Sequence, residues 1–209
     1  MKHIFKNMLV LVALMVPTAS LYAKPVYLGY DGFYDRLKVS NKKDYPDVRI
    51  GFYLIDEDTR QPCHIKEGSI QTEKSSQPLV VGEESEMLVP FDKQLDKDKA
   101  MIIVETEQYC VLKMQIEAQG QHGKRVSAEQ LKRIQSQMAD ILDDLSGFIA
   151  SFFTPDVTGV RLVFAKKEHS KQAGIQCDGM KCSVNAEQLA NNVTLSFDQE
   201  IVQILPRIE

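Results

Sequence analysis

The chain has 209 residues, 44% of them hydrophobic and 26% charged, with a formal net charge of −4 at pH 7. A chain of this length buries roughly 70% of the surface its unfolded state exposes, enough for a full core, so one domain, or a domain with a closely packed extension, suffices. An acidic chain lacks the basic footprint that phosphate contacts require, which argues against a nucleic-acid partner.

Residues 1–23 read as an export signal. Lys2, His3 and Lys6 give a basic start, Met8–Val16 (MLVLVALMV) is an unbroken apolar run, and Pro17 opens a small-residue stretch ending at Ala23. This is the charged, apolar and small-residue order of a secretory signal peptide. The run is too short to cross a bilayer, which takes about 20 apolar residues. A cytoplasmic N-terminal core helix is the alternative, but nothing in a core helix calls for that order. Cleavage is expected after Ala23, with Leu21 at the minus-three position. No cysteine lies at the junction to carry a lipid anchor, and no later segment has the apolar length of a membrane span. Cleavage removes two of the 25 Lys plus Arg residues and none of the 29 acids, leaving a single mature domain, residues 24–209, of formal charge −6.

Pro25-Val26-Tyr27 reads as extended, and Tyr30, Phe33, Tyr34 and Leu37 then recur at helical spacing, which predicts a short amphipathic helix. Its aromatic face either docks on the core or grips a sugar or peptide, and docking is the commoner use. Asp44–Asp47, with Pro46, marks a turn. From Val48 to Gly120 short apolar alternations follow, broken by turn residues. They predict strands at Val48–Leu54, Cys63–Ile65, Ser69–Thr72, Pro78–Val81, Glu86–Val89, Met101–Glu105 and Val111–Ala118. Strands in series without a helix between them point to an antiparallel sandwich or a strongly bent sheet. The segment Phe91–Lys99 (FDKQLDKDK) reads as a solvated charged connection.

Ser127 with Gln130 forms a capping-box pattern at the start of the longest regular segment. Leu131, Ile134, Met138, Ile141, Leu145, Phe148 and Phe152 recur at spacings of three and four, while Lys132, Arg133, Gln135, Asp140 and Asp143 take the opposite face. A helix ending near Phe153, before Pro155, is predicted. The stripe could serve a coiled coil, but Leu142, Ile149 and Phe153 widen it to a face suited to covering a sheet. Strands are expected at Thr158–Phe164, Val193–Phe197 and Ile201–Leu205, with a helical turn at Ala186–Ala190 and a glycosylation-type tripeptide at Asn192–Thr194. The fold class is therefore α+β. An N-terminal antiparallel β-sandwich-like body with a short helix spans 24–120, and 121–209 holds one long amphipathic helix packed on a sheet and a C-terminal disulfide-stapled β-hairpin.

Cys63, Cys110, Cys177 and Cys182 are the four cysteines. An even count in an exported chain reads as two disulfides, and the closeness of Cys177 to Cys182 in CDGMKC leaves Cys63 for Cys110. Register provides a test. A type I′ turn at Asp178-Gly179 would oppose Cys177 to Met180. A type II′ turn at Gly179-Met180 would oppose Cys177 to Cys182 in the closely spaced pair without ladder bonds, with Cα atoms about 4.5 Å apart. A four-residue loop, Asp178–Lys181, would also oppose the cysteines. A redox pair would have its thiols two apart at a helix start, and a zinc site would need ligands at close spacing. His64, His122 and His169 are instead scattered over separate segments, with His64 beside Cys63.

Catalytic chemistry leaves no local signature. The chain has no Gly-x-Ser-x-Gly elbow, no phosphate-cradling glycine loop and no His-Glu-x-x-His segment. The acidic pairs Asp143-Asp144 and Asp96 with Asp98 fall on predicted solvated surface. No catalytic, cofactor-binding or metal-binding residue is assigned, and no cofactor is expected. Scattered positions can still assemble a site.

The order of FYDRLKVSNKKDYPDVRIGFYL, CHIKEGSIQTE, LVPFDKQLDKDKAMIIVE and LSFDQEIVQILPRI resembles an uncharacterised family of exported gammaproteobacterial proteins, domain of unknown function 2987. Where that family often places an aromatic after the proline near the end, this chain has Pro206-Arg207. The resemblance implies export and one shared architecture, and it carries no activity or site residue. The expectation is a soluble periplasmic protein that acts without catalysis, by binding an envelope protein or ligand or by supporting envelope assembly. The alternatives are an envelope hydrolase with a non-local active site, or a thiol-redox factor using Cys177 and Cys182.

Overall fold

The computed structural model describes residues 25–42, 44–150, 155–167, 174–191 and 193–208. The signal-like segment 1–23, His169, Phe152, Phe153 and the Asn192 of the glycosylation-type tripeptide lie outside them.

Strand β1 (Pro25–Gly29) runs directly into helix α1 (Tyr30–Ser40). The helix buries Tyr30 and Phe33, and Phe33 meets Phe52 edge-on at 4.8 Å between ring centres. Tyr34 stacks on Phe91 at 5.0 Å. The Tyr30 hydroxyl donates to the Pro90 carbonyl (2.5 Å) and accepts from the Asp92 amide (2.9 Å). The aromatic face thus docks on the chain itself.

Strand β2 (Val48–Asp56) follows, then β3 (Ile65–Gln71), β4 (Ser76–Pro78), β5 (Val80–Val81) and β6 (Met87–Leu88). A short helix α2 (Lys93–Lys97) leads to β7 (Met101–Thr106) and β8 (Cys110–Ala118). Three expectations are corrected here. Ile65 and Ser69–Gln71 belong to one strand, β3, which pairs with β7 on both sides of a register shift between Ile65 and Glu67, while Cys63 lies ahead of it. Pro78–Val81 is instead split, because Leu79 turns into the core and donates its amide to the Gly68 carbonyl (2.9 Å). Phe91–Lys99 is a helical turn rather than a plain loop: the Asp92 side chain caps it by accepting from the Gln94 amide (2.7 Å), and Leu95 is buried.

The first half forms an antiparallel sheet of order β1-β7-β3-β4, a long β2-β8 ladder from Val48↔Ala118 to Asp56↔Cys110, and the small β5-β6 pair. Strand β9 (Arg125–Ser127) precedes α3 (Ala128–Ala150), where the Ser127 hydroxyl accepts from the Gln130 amide (3.1 Å). Leu131, Ile134, Met138 and Ile141 are buried, and the helix lies against α1 and against strands of both halves. From Leu131 to Ile141 its apolar face is spent within the chain, as a sheet-covering helix requires. Gly147, at φ 71°, interrupts the helical backbone one turn before Ala150.

Strands β10 (Val157–Phe164), β11 (Gln176–Asp178) and β12 (Lys181–Asn185), helix α4 (Ala186–Ala190), β13 (Thr194–Ser196) and β14 (Ile201–Ile208) complete the chain. Asn185 and Gln188 cap α4 reciprocally. The second sheet has the order β11-β12-β10-β14, entirely antiparallel. The strand expected at Val193–Phe197 does not join it: β13 pairs with β9, Leu195 opposite Val126. One hydrophobic core cluster takes residues from α1, both sheets, the β2-β8 ladder and α3.

Candidate functional site

The cysteines form two disulfides, Cys63–Cys110 and Cys177–Cys182. Cys110 opens β8, but Cys63 lies ahead of β3, where its amide donates to the Leu54 carbonyl at 2.9 Å. That crosslink therefore ties the β2–β3 connection to the start of β8, both sulfurs buried. In CDGMKC, Cys177 opposes Cys182 and Asp178 opposes Lys181, with a Cα separation of 4.0 Å across the cystine. Gly179 has φ 60° and Met180 is not among the residues of positive φ, as a type II′ turn requires and a type I′ turn forbids. Cys182 is fully buried, so an incoming thiolate reaches only the Cys177 side of the bond.

The other residues singled out from the sequence stay apart. His64 is exposed near Glu107, whereas His122 is buried and bonded to the Ala118 backbone. Burial holds its imidazole below the ordinary histidine range. Asp144 is bound by Lys42 (2.5 Å) and Tyr45 (2.7 Å), and the Lys42 bond in particular pulls its carboxyl below the usual range. Asp96 and Asp98 belong to α2 and its C-terminal cap.

Charge converges instead on one face of the β2-β8 ladder. Successive side chains of a strand alternate between faces, so Arg49, Gly51 and Tyr53 share a face opposite Glu117, Gln115 and Lys113, while Val48, Ile50, Phe52 and Leu54 turn into the core. Glu117 is only 2% exposed. Arg49 pairs with it and also with both oxygens of Glu86 (Nη2 to Oε2, 3.1 Å). The Tyr53 hydroxyl donates to the Glu117 carboxylate, 2.9 and 3.0 Å from its two oxygens. Gln115 (2.9 Å) and Gln203 of β14 (3.3 Å) donate to Oε2. Burial, reinforced by the Glu117 charge, pushes the Tyr53 phenol well up, and the Glu86 bond raises the Arg49 guanidinium, so one stays neutral and the other charged. Gly51 makes the arrangement possible: a Cβ there would lie 2.6 Å from the Tyr53 ring and 3.1 Å from Glu117 Oε1. A cleft of about 180 Å³ opens above, rimmed by Glu83 and Glu84. Both Glu117 oxygens are already engaged by donors, which leaves this carboxylate poorly placed to take a proton from a substrate.

Gln203 connects this face to a second one. Strands β8 and β14 lie side by side without a hydrogen-bonded ladder, and α3 packs behind β10 and β8. On the C-terminal sheet, Arg161 stands level with Ser183 and Gln176 on one side and Leu205 on the other. Lys181 and Asp178 form the next row, with Asn185 and Arg207 flanking Gly159 on the far side. Burial, reinforced by the Lys181 charge, depresses the Lys113 ammonium.

None of Arg49, Tyr53, Glu86, Glu117 or Arg161 was singled out from the sequence. The available signal was polar alternation, Arg49-x-Gly51-x-Tyr53 and Lys113-x-Gln115-x-Glu117, inside strands read mainly for their apolar positions. The pairing partners Glu86 and Gln203 come from far along the chain and had no local signal.

No curated protein and no solved structure matches the chain. The model of the family described as "Protein of unknown function (DUF2987)" matches residues 22–164, from just before β1 to the end of β10. The terminal phrase LSFDQEIVQILPRI and the stapled hairpin lie beyond that match. Covering well over half of the chain and all of the β2-β8 ladder, the match shows that this protein belongs to the DUF2987 family.

Proposed function

We propose that the protein is exported to the periplasm as a single soluble domain, residues 24–209, and acts there without catalysis, by binding a ligand or supporting envelope assembly. The observation that carries this reading is the pairing of all four cysteines into two disulfides, a state that persists in oxidising compartments and not in a reducing cytosol. The N-terminal pattern ending at Ala23 supports the route. The saturated hydrogen bonding of Glu117 supports the absence of catalysis, because a general base needs an acceptor free for substrate.

Cell fractionation of the full chain, with sequencing of the isolated N-terminus, tests the export. A periplasmic protein starting at Lys24 is expected; a cytoplasmic protein retaining residues 1–23 with free thiols overturns the reading. Crosslinking in cells tests the binding role, with reproducible envelope partners as the expected result. The hydrolase reading draws on the carboxylates around the Arg49 cleft, and it requires that Glu86→Gln and Glu117→Gln abolish a measurable hydrolysis of envelope material. The thiol-redox reading requires the Cys177–Cys182 bond to be reduced at potentials above about −300 mV.

A further inference from the structure

We infer that the outer face of the C-terminal sheet binds an acidic saccharide, with carboxylate or phosphate groups on Arg161 and Lys181 and sugar hydroxyls on the amide and hydroxyl side chains beside them. This rests on the reading of the protein as an exported binding protein and names the chemistry of its ligand.

The central observation is Arg161. It sits half-buried on β10, an inner strand of the sheet, and forms no ion pair with any described residue. Lys181, one row away, likewise has no carboxylate of a described residue within ion-pair distance, although Asp178 is its cross-strand neighbour. A guanidinium offers five donors in a planar fork suited to carboxylate or phosphate. A half-exposed guanidinium that the described residues leave without a counter-charge is free to form charged hydrogen bonds with an anionic ligand. The contrast with Arg49, which is clasped by two carboxylates on the adjoining face, is internal to the molecule.

The shape fits a polyhydroxylated ligand. Two adjoining hollows of about 580 and 300 Å³ share Gln176 and Ser183; the larger holds Arg161 and Lys181, and the smaller holds Asn185 and Arg207. These volumes are those of sites for small ligands. Asp178 is the one carboxylate among the described residues lining them. The described lining has no aromatic platform of the kind single-stranded nucleic acid stacks on. It is also concave and polar, unlike the apolar face that an interfacial helix sinks into a bilayer.

Calorimetric titration of the oxidised mature protein with oligogalacturonate, a carboxylate-bearing oligosaccharide, tests the inference. Maltotetraose serves as the neutral control, and phosphatidylglycerol vesicles and a single-stranded oligonucleotide as competing anions. Binding of oligogalacturonate, weakening as salt rises and absent for maltotetraose, is the expected result. Arg161→Gln and the exposed Lys181→Gln should each lower affinity by about tenfold, as loss of a charged hydrogen bond does, while Lys97→Gln on α2 leaves it unchanged. Failure of oligogalacturonate to bind, equal loss in all three variants, or binding confined to vesicles or oligonucleotide overturns the inference. The titration uses purified protein, so it can succeed even if fractionation refutes export, and the two failures are told apart.

Discussion

The two polar faces that meet along β8 and β14 are built from the same kind of residue on the same kind of surface, yet they treat charge in opposite ways. On the β2-β8 ladder, Arg49 lies between Glu86 and Glu117, Tyr53 and two glutamine amides complete the Glu117 shell, and a glycine at position 51 leaves room for the Tyr53 ring. On the C-terminal sheet, Arg161 and Lys181 are spaced along the strands with no carboxylate among the described residues close enough to pair. A buried charge is tolerated when its partners are supplied by the fold, and breaking such a set leaves an uncompensated ion. A half-exposed cation without partners contributes little to folding and is available to a ligand. The first face therefore holds the structure together; the second offers it for binding.

Removing the closed network should have the largest effect. Glu117→Ala leaves Arg49 and Tyr53 facing a void and should cost about 3–5 kcal/mol in urea unfolding; a change below about 1 kcal/mol would mean that Arg49 and Glu86 alone neutralise the site. The two staples differ in a related way. Replacing Cys63 and Cys110 with alanine opens a loop of sequence separation 47 and should cost about 4 kcal/mol on the chain-entropy model, against about 2 kcal/mol for Cys177 and Cys182 at separation 5. Thermal unfolding of the two double variants would reveal the order, and its reversal would show that the hairpin, not the β2–β8 junction, limits stability.

Core packing acts on the same scale as the staples, and titration on a smaller one. Met138→Ala, fully buried on α3, should cost about 2–5 kcal/mol, and Leu145→Ala less, since Leu145 is only partly buried. His122 is held neutral by burial, its folded pKa below the ordinary 6.5. The unfolded chain then binds the proton more readily, so stability is full above about 6.5 and falls as pH drops through that value. Melting temperatures between pH 7.5 and 5.5, above the range where carboxylates titrate, should show this slope, and His122→Gln should flatten it.

The smallest effect should come from the open face. Arg161→Gln should change unfolding free energy by less than about 0.5 kcal/mol, whereas Arg49→Gln strands Glu117 and costs far more. If both arginines prove equally important to stability, the distinction between a closed and an open face fails.

Much of this architecture was legible along the chain because its signals are local. The Tyr30–Leu37 spacing, the Ser127 cap and the Leu131–Ile141 stripe depend on residues three or four apart, and each element stands where the periodicity puts it. The Gly179-Met180 turn was accessible for the same reason, since hairpin register follows from a few neighbouring residues. The splitting of Pro78–Val81 at Leu79 and the recruitment of Thr194–Ser196 to β9 rather than to the hairpin sheet were not accessible, because both are decided by what the rest of the fold leaves uncovered.

By itself, then, the amino-acid order determined the α+β class, the membership of the DUF2987 family, the long sheet-covering helix and the opposition of Cys177 to Cys182. The tertiary structure alone decided that Arg49 is enclosed by Glu86 and Glu117 while Arg161 is not. The physical reason is range: hydrogen-bonded periodicity and turn geometry act over a few residues, whereas the environment of a charge depends on strands brought together from distant parts of the chain.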